Sequence, residues 1–148
     1  MKRWLYSDPA PVPASVGLLA LRLVVGPAMA LHGWPKIQQP FGWMGPDAAV
    51  PGVLQFLAAL AEFGGGIALV LGLLTRVASL GIAATMAVAA GMVHIAAGDP
   101  FVARGGGRSW ELAAVYLACA VLLLLAGPGR LSLDARLFGR SGAPGTVG

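Results

Sequence analysis

The stretch FLAALAEFGGGIALVLGLLTR, residues 56–76, is apolar almost throughout, yet it contains a carboxylate at Glu62 followed closely by three glycines. About 20 consecutive apolar residues are enough for a helix to cross a bilayer. A charged side chain near the middle of such a helix costs about 2.5–3.5 kcal/mol on insertion scales, and it is usually paired inside the protein. The stretch therefore predicts a membrane helix whose carboxylate has a partner on another helix.

The whole chain shares this apolar character. Of its 148 residues, 57% are hydrophobic and 11% are charged, whereas soluble domains carry about 25% charged residues. The length allows one domain, residues 1–148, and the composition predicts a lipid bilayer as its surroundings. The net charge of +4 comes from basic residues scattered around apolar runs, without the basic stripe of a nucleic-acid-binding face. A nucleic-acid partner is therefore excluded.

Four apolar segments predict an all-α membrane protein, a bundle of four transmembrane helices. The segments are separated by polar or Gly- and Pro-rich stretches, which are typical of loops. The predicted spans are about 15–33, 53–74, 77–98 and 110–129.

The distribution of Lys and Arg predicts the orientation of this bundle. Four crossings put both termini and the turn at Arg76 on one side, which carries six basic residues against three on the other side. Both termini are therefore expected in the cytoplasm. A short amphipathic tail, 130–140, is predicted on the same side, where Ser132 would cap a helix and Arg136 and Arg140 would meet anionic lipid.

Arg22 is the expected partner of Glu62. With these spans, Arg22 lies about 16 Å below the outer end of the first helix, and Glu62 lies about 13 Å below the outer start of the second. Opposite charges at similar depth on consecutive helices predict a buried ion pair. Two roles stay open for this pair: it could fix the register of the two helices, or it could form the base of a functional cavity. Gly65 and Gly66 would let a neighbouring backbone approach the second helix closely.

Polar side chains concentrate near the predicted outer surface, at helix ends and in both outer loops. This asymmetry predicts an outward-facing cavity that reaches down to the expected ion pair. The polar set comprises His32, Lys36, His94, Asp99, Arg104, Arg108 and Glu111, with Trp34, Trp43 and Trp110 at the same level.

Within this set, the candidate catalytic residues are those that can carry protons, namely His32, His94 and Glu111. The candidate ligand-binding residues are Lys36, Trp34 and Trp110. Simpler interpretations stay open, because tryptophans also form an interfacial belt in membrane proteins and a histidine often forms a hydrogen bond at a helix end.

Three chemistries could use such a cavity. A quinone head group could exchange protons with a histidine and a carboxylate while a partner supplies electrons. Haem between His32 and His94 is disfavoured, since two histidines are weak support for it. Export of a small cation needs a carboxylate that is free to titrate, whereas Glu62 has an expected arginine partner. No metal site is predicted, and the single Cys119 is expected to be a buried, inert thiol.

The order of several motifs resembles the DoxX family of bacterial and archaeal membrane proteins. The resemblance covers about 16–137, and the second helix and the closing segment are its more specific parts. It rests on Arg22, LHGWPK (31–36), LAEFGGGIALVLGLLTR (60–76), His94, Trp110–Glu111 and GPGRLSLD (127–134).

The resemblance implies a four-helix bundle in the bacterial inner (plasma) membrane. Some members of the family are subunits of a thiosulfate:quinone oxidoreductase, others associate with membrane-linked redox and thiol-stress complexes, and many have no assigned activity. One departure is Pro35, which predicts an earlier end of the first helix and a different direction for Lys36. The polar positions that the resemblance implies are Arg22, His32, Lys36, Glu62, His94 and Glu111.

The expected function is therefore a membrane subunit of a redox system that binds a quinone and receives electrons from a soluble or membrane partner. Two alternatives stay open: a non-catalytic membrane anchor for a soluble redox protein, and a small-cation transporter. Whether the chain is itself an enzyme and whether it forms a homo-oligomer also stay open, because fold does not settle function.

Overall fold

The structure is a computed structural model, which describes residues 10–139. This part of the chain contains helices, turns and loops and no strand, so the all-helical prediction is confirmed. The third helix continues without a break from α-helical into π-helical geometry. The elements are α1 (Val12–Gln38), α2 (Gly52–Leu71), α3 (Thr75–Val88) with its π-helical segment (Ala89–Ile95), α4 (Glu111–Ala126) and α5 (Leu133–Phe138).

Three helices in the described residues are long and apolar enough to cross a membrane, namely α1, α2 and α3 together with its π-helical segment. The fourth predicted span, 110–129, corresponds to α4, which has 16 residues. A helix of that length extends about 24 Å, somewhat less than the hydrocarbon thickness of about 30 Å. The fourth helix is therefore apolar but shorter than predicted.

The prediction that α1 ends early at Pro35 is wrong. The helix has 27 residues and contains both Pro27 and Pro35. A proline removes one backbone donor and disturbs one turn, and packing against neighbouring helices compensates for this in membrane proteins. As a result, Lys36 lies in the last helical turn of α1, where a positive charge also interacts favourably with the helix dipole.

Helices α1 and α2 are antiparallel and approach each other through glycines. A Cβ atom added at Gly66 would lie 2.5 Å from the backbone nitrogen of Ala30 and 2.6 Å from the carbonyl oxygen of Gly26. A Cβ atom at Gly33 would collide with the backbone of Phe63. Small residues permit such backbone contact in membrane helices. The predicted role of Gly66 in close helix packing is confirmed.

The hydrophobic core lies between the four longer helices, and each of them contributes to it. Cys119 on α4 is half-buried against this core. Many other apolar side chains remain exposed on the outer faces of the helices, as expected where lipid is the solvent. The larger buried apolar side chains are Leu18, Val25, Met29, Leu69, Ile82, Met86 and Leu123.

A buried carboxylate, Asp134, attaches the last helix to the bundle. It accepts hydrogen bonds from the backbone N–H groups of Leu74 and Thr75, at 2.7 and 2.9 Å. Leu74 has φ 48°, a left-handed conformation that is unfavourable for a bulky residue. The carboxylate therefore stabilises the tight turn between α2 and α3 and satisfies N–H groups at the start of α3.

The predicted tail contains the short helix α5. Ser132 caps α5, as predicted, because its hydroxyl accepts a hydrogen bond from the N–H of Ala135 at 3.1 Å. Leu137 and Arg136 are exposed, whereas Asp134 is turned into the protein. Arg140 lies outside the described residues.

Replacing Gly66 by alanine tests the contact between α1 and α2. Gly66→Ala should destabilise the protein by about 1–3 kcal/mol, because the added methyl group overpacks a backbone contact. Gly17→Ala is the matched control, since a Cβ atom at that position of α1 has nothing within 4 Å. Thermal unfolding of the full chain in detergent measures both. Equal unfolding midpoints for the two variants would contradict this packing of α1 on α2.

Candidate functional site

A cavity of about 440 Å³ lies at the end of the bundle where α1 ends and α4 begins. This end is termed the cavity end, and the opposite end, which carries α5, is termed the tail end. The cavity is lined by α1, by α2 at Glu62, by α3 with its π-helical segment, by α4 and by the loop before α4. Its polar lining includes His32, Lys36, Glu62, His94, Arg108 and Tyr116.

An ion pair between Lys36 and Glu62 forms one part of this lining. The ammonium group lies 2.6 Å from each oxygen of the carboxylate. The side chain of Glu62 is 1% exposed and that of Lys36 is 24% exposed. The ammonium group also lies 4.6 Å from the ring centre of Trp43, a favourable cation–π arrangement. The carboxylate in the apolar second helix is thus neutralised by a lysine of α1.

The prediction of an ion pair between Arg22 and Glu62 is wrong, because Glu62 pairs with Lys36. Arg22 is completely buried, but it lies toward the tail end. Its guanidinium group donates to the carbonyl oxygen of Leu69 at 3.5 Å and to that of Leu131, and Asp134 interacts with it electrostatically. The cavity therefore reaches Glu62 and does not reach Arg22.

The error comes from the register of α1 against α2. Gly33 packs on Phe63, which places Glu62 about 11 residues, or roughly 16 Å, along α1 from Arg22. The prediction ended the first span at residue 33 and so placed Arg22 too near the outer surface. Because α1 continues for more than another turn, Lys36 reaches the carboxylate instead.

His94 belongs to a second polar group at the cavity end. Its Nδ1 atom lies 2.8 Å from a carboxylate oxygen of Asp99, and the Nε atom of Arg108 lies 3.1 Å from the same oxygen. Arg108 also donates to the carbonyl oxygen of Val93 at 3.2 Å. A carboxylate at Nδ1 orients an imidazole ring and leaves Nε2 as the second ring nitrogen for a ligand. The arrangement thus suits transfer of a proton through His94.

His32 and Tyr116 form the contact between α1 and α4 at the cavity. Their rings meet edge to face, with centroids 5.9 Å apart and an interplanar angle of 73°. Elsewhere α1 packs chiefly on α2, and α4 packs chiefly on α3. Helices α1 and α4 therefore contact each other little, and the ring pair is one of these few contacts.

Three predicted residues lie outside the cavity lining, among the residues that the structure describes. Trp34 is 54% exposed and its ring lies 5.5 Å from that of Phe63. Trp110 contacts the ring of Phe101, with centroids 4.5 Å apart. Glu111 is exposed at the start of α4. Their proposed roles in binding and proton transfer stay predictions.

Several residues that matter at the two ends were not assigned roles from the sequence. Asp99 and Arg108 belonged to the outer polar set, but their pairing with His94 depends on how the loop before α4 folds. Tyr116 carries the one phenol in the apolar helix α4. It lies one helical turn after Leu112, so the two side chains share a face of the helix, and this was the signal available from the sequence. Asp134 follows the cap residue of a short helix, which gave no hint that it reaches α3.

The chemistry that this lining supports is hydrogen bonding and proton exchange. Tyrosine, serine, histidine, lysine, arginine and glutamate side chains line one space together with apolar side chains. Within residues 10–139, no group of three or more His, Cys, Asp or Glu side chains is placed to hold a metal ion.

Comparisons with known proteins identify one family and two relatives. Residues 17–95 match the DoxX family. An uncharacterized protein of Haemophilus influenzae is 34% identical over 125 residues, which cover 82% of this chain and 90% of the relative. The inner membrane protein YqjF of Escherichia coli K12 is 31% identical over 128 residues, covering 82% of this chain and 92% of the relative. No solved structure matches the chain.

These likenesses and the three helices of spanning length agree on the location. The chain is a multi-pass protein of the inner membrane. Its association with the lipid bilayer follows from the apolar helix surfaces, which have no other solvent to face.

A double-mutant cycle tests which cation pairs with Glu62. Lys36→Met should destabilise the protein by about 3 kcal/mol, because it leaves a buried carboxylate without a partner. Adding Glu62→Leu should restore most of that loss. The cycle of Arg22→Met with Glu62→Leu is the control and should be additive within about 0.5 kcal/mol. Unfolding in detergent measures all variants, and additivity for the lysine cycle would contradict the pairing.

Proposed function

The chain belongs to the DoxX family, and from this premise we propose that it is a membrane subunit of a redox system that binds a quinone in the cavity. The observation that carries the proposal is the combination of proton-carrying side chains and apolar walls around one space of about 440 Å³. Pockets for small organic ligands typically have about 300–1,000 Å³ and mostly apolar walls with a few placed polar groups.

The apolar walls suit a flat, hydrophobic ring. Met29 and Met86 face the space from α1 and α3, and Leu112 and Ala113 face it from α4. Methionine side chains adapt to irregular shapes and fill gaps around a bound ring.

The polar groups suit the two carbonyl oxygens of such a ring. A quinone oxygen accepts hydrogen bonds, and the lining offers donors at Tyr116, at Lys36 and at Nε2 of His94. Reduction to a quinol adds two electrons and two protons to the ring. His94 can transfer one proton while Asp99 stabilises the imidazolium. The ammonium group of Lys36, paired with Glu62, can donate the other.

The electrons must come from another molecule. Titratable side chains move protons, whereas electron transfer needs a redox centre such as a flavin, a haem or an iron–sulfur cluster. We therefore propose a soluble or membrane redox partner, which docks at the cavity end and delivers electrons to the bound ring. Haem in the cavity remains disfavoured, because two histidines are weak support for a haem site.

A ligand that is dissolved in the bilayer could enter between α1 and α4. The ring contact between His32 and Tyr116 lies in that gap, and His32 is exposed. Rotation of one exposed side chain is fast and would open the cavity toward the acyl chains. This geometry favours a hydrophobic ligand over a hydrated small cation.

The proposal includes the membrane topology. In a four-helix bundle, α4 would be the fourth crossing, completed by the residues on both sides of its 16. Both termini would then be cytoplasmic, with the cavity end at the outer surface, as the distribution of Lys and Arg favours.

Reporter fusions test the number of crossings and their direction. Alkaline phosphatase fused after Arg104 should be active, because that loop is expected outside the cytoplasm. The same enzyme fused at the C-terminus should be inactive, and a green fluorescent protein there should fluoresce. Activity of alkaline phosphatase at both positions would mean that α4 does not cross, and the four-helix topology would be wrong.

Binding of a short-chain ubiquinone analogue to the purified full chain tests the ligand. His94→Phe and Tyr116→Phe should each weaken binding by about tenfold or more, corresponding to the loss of a hydrogen bond worth about 1.4 kcal/mol. Asp47→Asn is the control, since this exposed carboxylate lies in the loop between α1 and α2. It should change the dissociation constant by less than about twofold.

Other outcomes of the same preparation point to the alternatives. Absence of quinone binding, together with a soluble redox protein that co-purifies, would replace the proposal by a membrane anchor. A Soret band would indicate haem. Proton-coupled efflux that depends on Glu62 in intact cells would indicate a cation transporter.

A further inference from the structure

A second pocket, termed the tail-end pocket, lies at the opposite end of the bundle from the cavity. It has a volume of about 400 Å³ and is formed between the last turn of α2 and the segment that leads into α5. Val70 and Leu71 line it from α2, and Leu131 and Leu133 line it from the tail. Ser132 and two arginines, Arg130 and Arg136, complete its lining.

Both arginines have donors to spare. Arg130 is held by a hydrogen bond from its Nε atom to the carbonyl oxygen of Ala10, at 2.9 Å. No acceptor within residues 10–139 contacts its two terminal nitrogens. Arg136 is exposed and has no hydrogen bond or ion pair within the same residues. Guanidinium groups bind phosphate through paired N–H donors, with geometry that a lysine does not reproduce.

The carboxylate nearest in sequence does not neutralise these arginines. Asp134 is 1% exposed, and its two oxygens accept hydrogen bonds from Leu74 and Thr75. It is therefore turned toward the bundle, and its charge lies near the buried Arg22. The tail-end pocket keeps a positive charge that an anion can meet.

The surroundings of the arginines are apolar and uncovered. Leu71, Leu131 and Leu137 are 48%, 51% and 63% exposed. A hydrated inorganic anion would gain nothing from these side chains, whereas an acyl chain would cover them and recover about 25 cal/mol for each Å² removed from water. Positive charge beside exposed leucines is the pattern of a surface that recognises an anionic lipid.

We propose that the tail-end pocket binds the phosphate group of an anionic phospholipid, through Arg130 and Arg136, with an acyl chain lying along Leu71 and Leu131. The site is separate from the cavity and from the quinone proposal, and either can hold without the other. Because the same segment carries Asp134, the bound lipid would also secure the tail against the turn between α2 and α3.

Native mass spectrometry of the full chain in detergent tests this site. Phosphatidylglycerol should bind at least about fivefold more tightly than phosphatidylcholine, because both arginines can neutralise its net negative charge. Arg130→Gln and Arg136→Gln should each remove most of this preference. Arg130→Lys and Arg136→Lys should retain part of it, since the charge remains and the paired donors are lost.

The controls distinguish specific binding of the lipid in the tail-end pocket from nonspecific attraction by the positive net charge of the protein. Arg104→Gln removes the same charge from an exposed loop at the cavity end and should keep the full preference. Equal losses in all three Gln variants would show that only net charge matters, which would overturn the proposal. Equal binding of the two lipids would overturn it as well.

Competition with inorganic phosphate distinguishes the two sources of the ligand group. Millimolar phosphate should leave phosphatidylglycerol binding nearly unchanged, because the acyl chain contributes part of the binding free energy. Displacement of the lipid by phosphate would mean that the pocket is a site for a free anion, and the lipid proposal would be wrong. Unfolding midpoints of the variants close to that of the parent exclude misfolding as the cause of lost binding.

Discussion

Contact between the backbones of α1 and α2 is the constraint on which the rest of the structure depends. Gly26 and Gly66 allow the helices to touch, and Gly33 lies against Phe63. Such contact permits one register only, because a shift by one residue would bring side chains into the space that glycine leaves. That register brings Lys36 to Glu62, and it makes a carboxylate tolerable within an apolar helix.

Two buried charges at the two ends of the bundle are accommodated in different ways. At the cavity end, an ammonium group contacts both oxygens of Glu62. At the tail end, Arg22 is surrounded by carbonyl oxygens from α2 and from the tail, with a carboxylate nearby. Each arrangement lowers the cost of a charge in apolar surroundings by supplying local partners. Both cations lie on α1.

The π-helical segment explains how α3 contributes to the cavity. Over Ala89–Ile95 the helix widens, and π-helical turns in proteins frequently occur at functional sites. His94 lies in this segment, and Asp99 accepts from its ring just after the helix ends. Arg108 holds the same carboxylate from the other side of the loop. The π-helical segment, the loop and the imidazole are thus joined by these contacts. No sequence motif that we identified predicts this arrangement.

The sequence by itself determined the membrane class, the helical architecture, the role of Gly66, the capping of α5 by Ser132 and the family. Each of these follows from composition, from hydrophobic runs or from local motifs, which act over short distances along the chain. Only the tertiary structure decided the partners of the buried charges. Pairing depends on the register of one helix against the other. Because α1 continues through Pro35, every depth estimated along α1 changes by more than a turn. For the same reason, the contacts of Tyr116 and Asp134 could be assigned only from the tertiary structure, because their partners lie on distant segments of the chain.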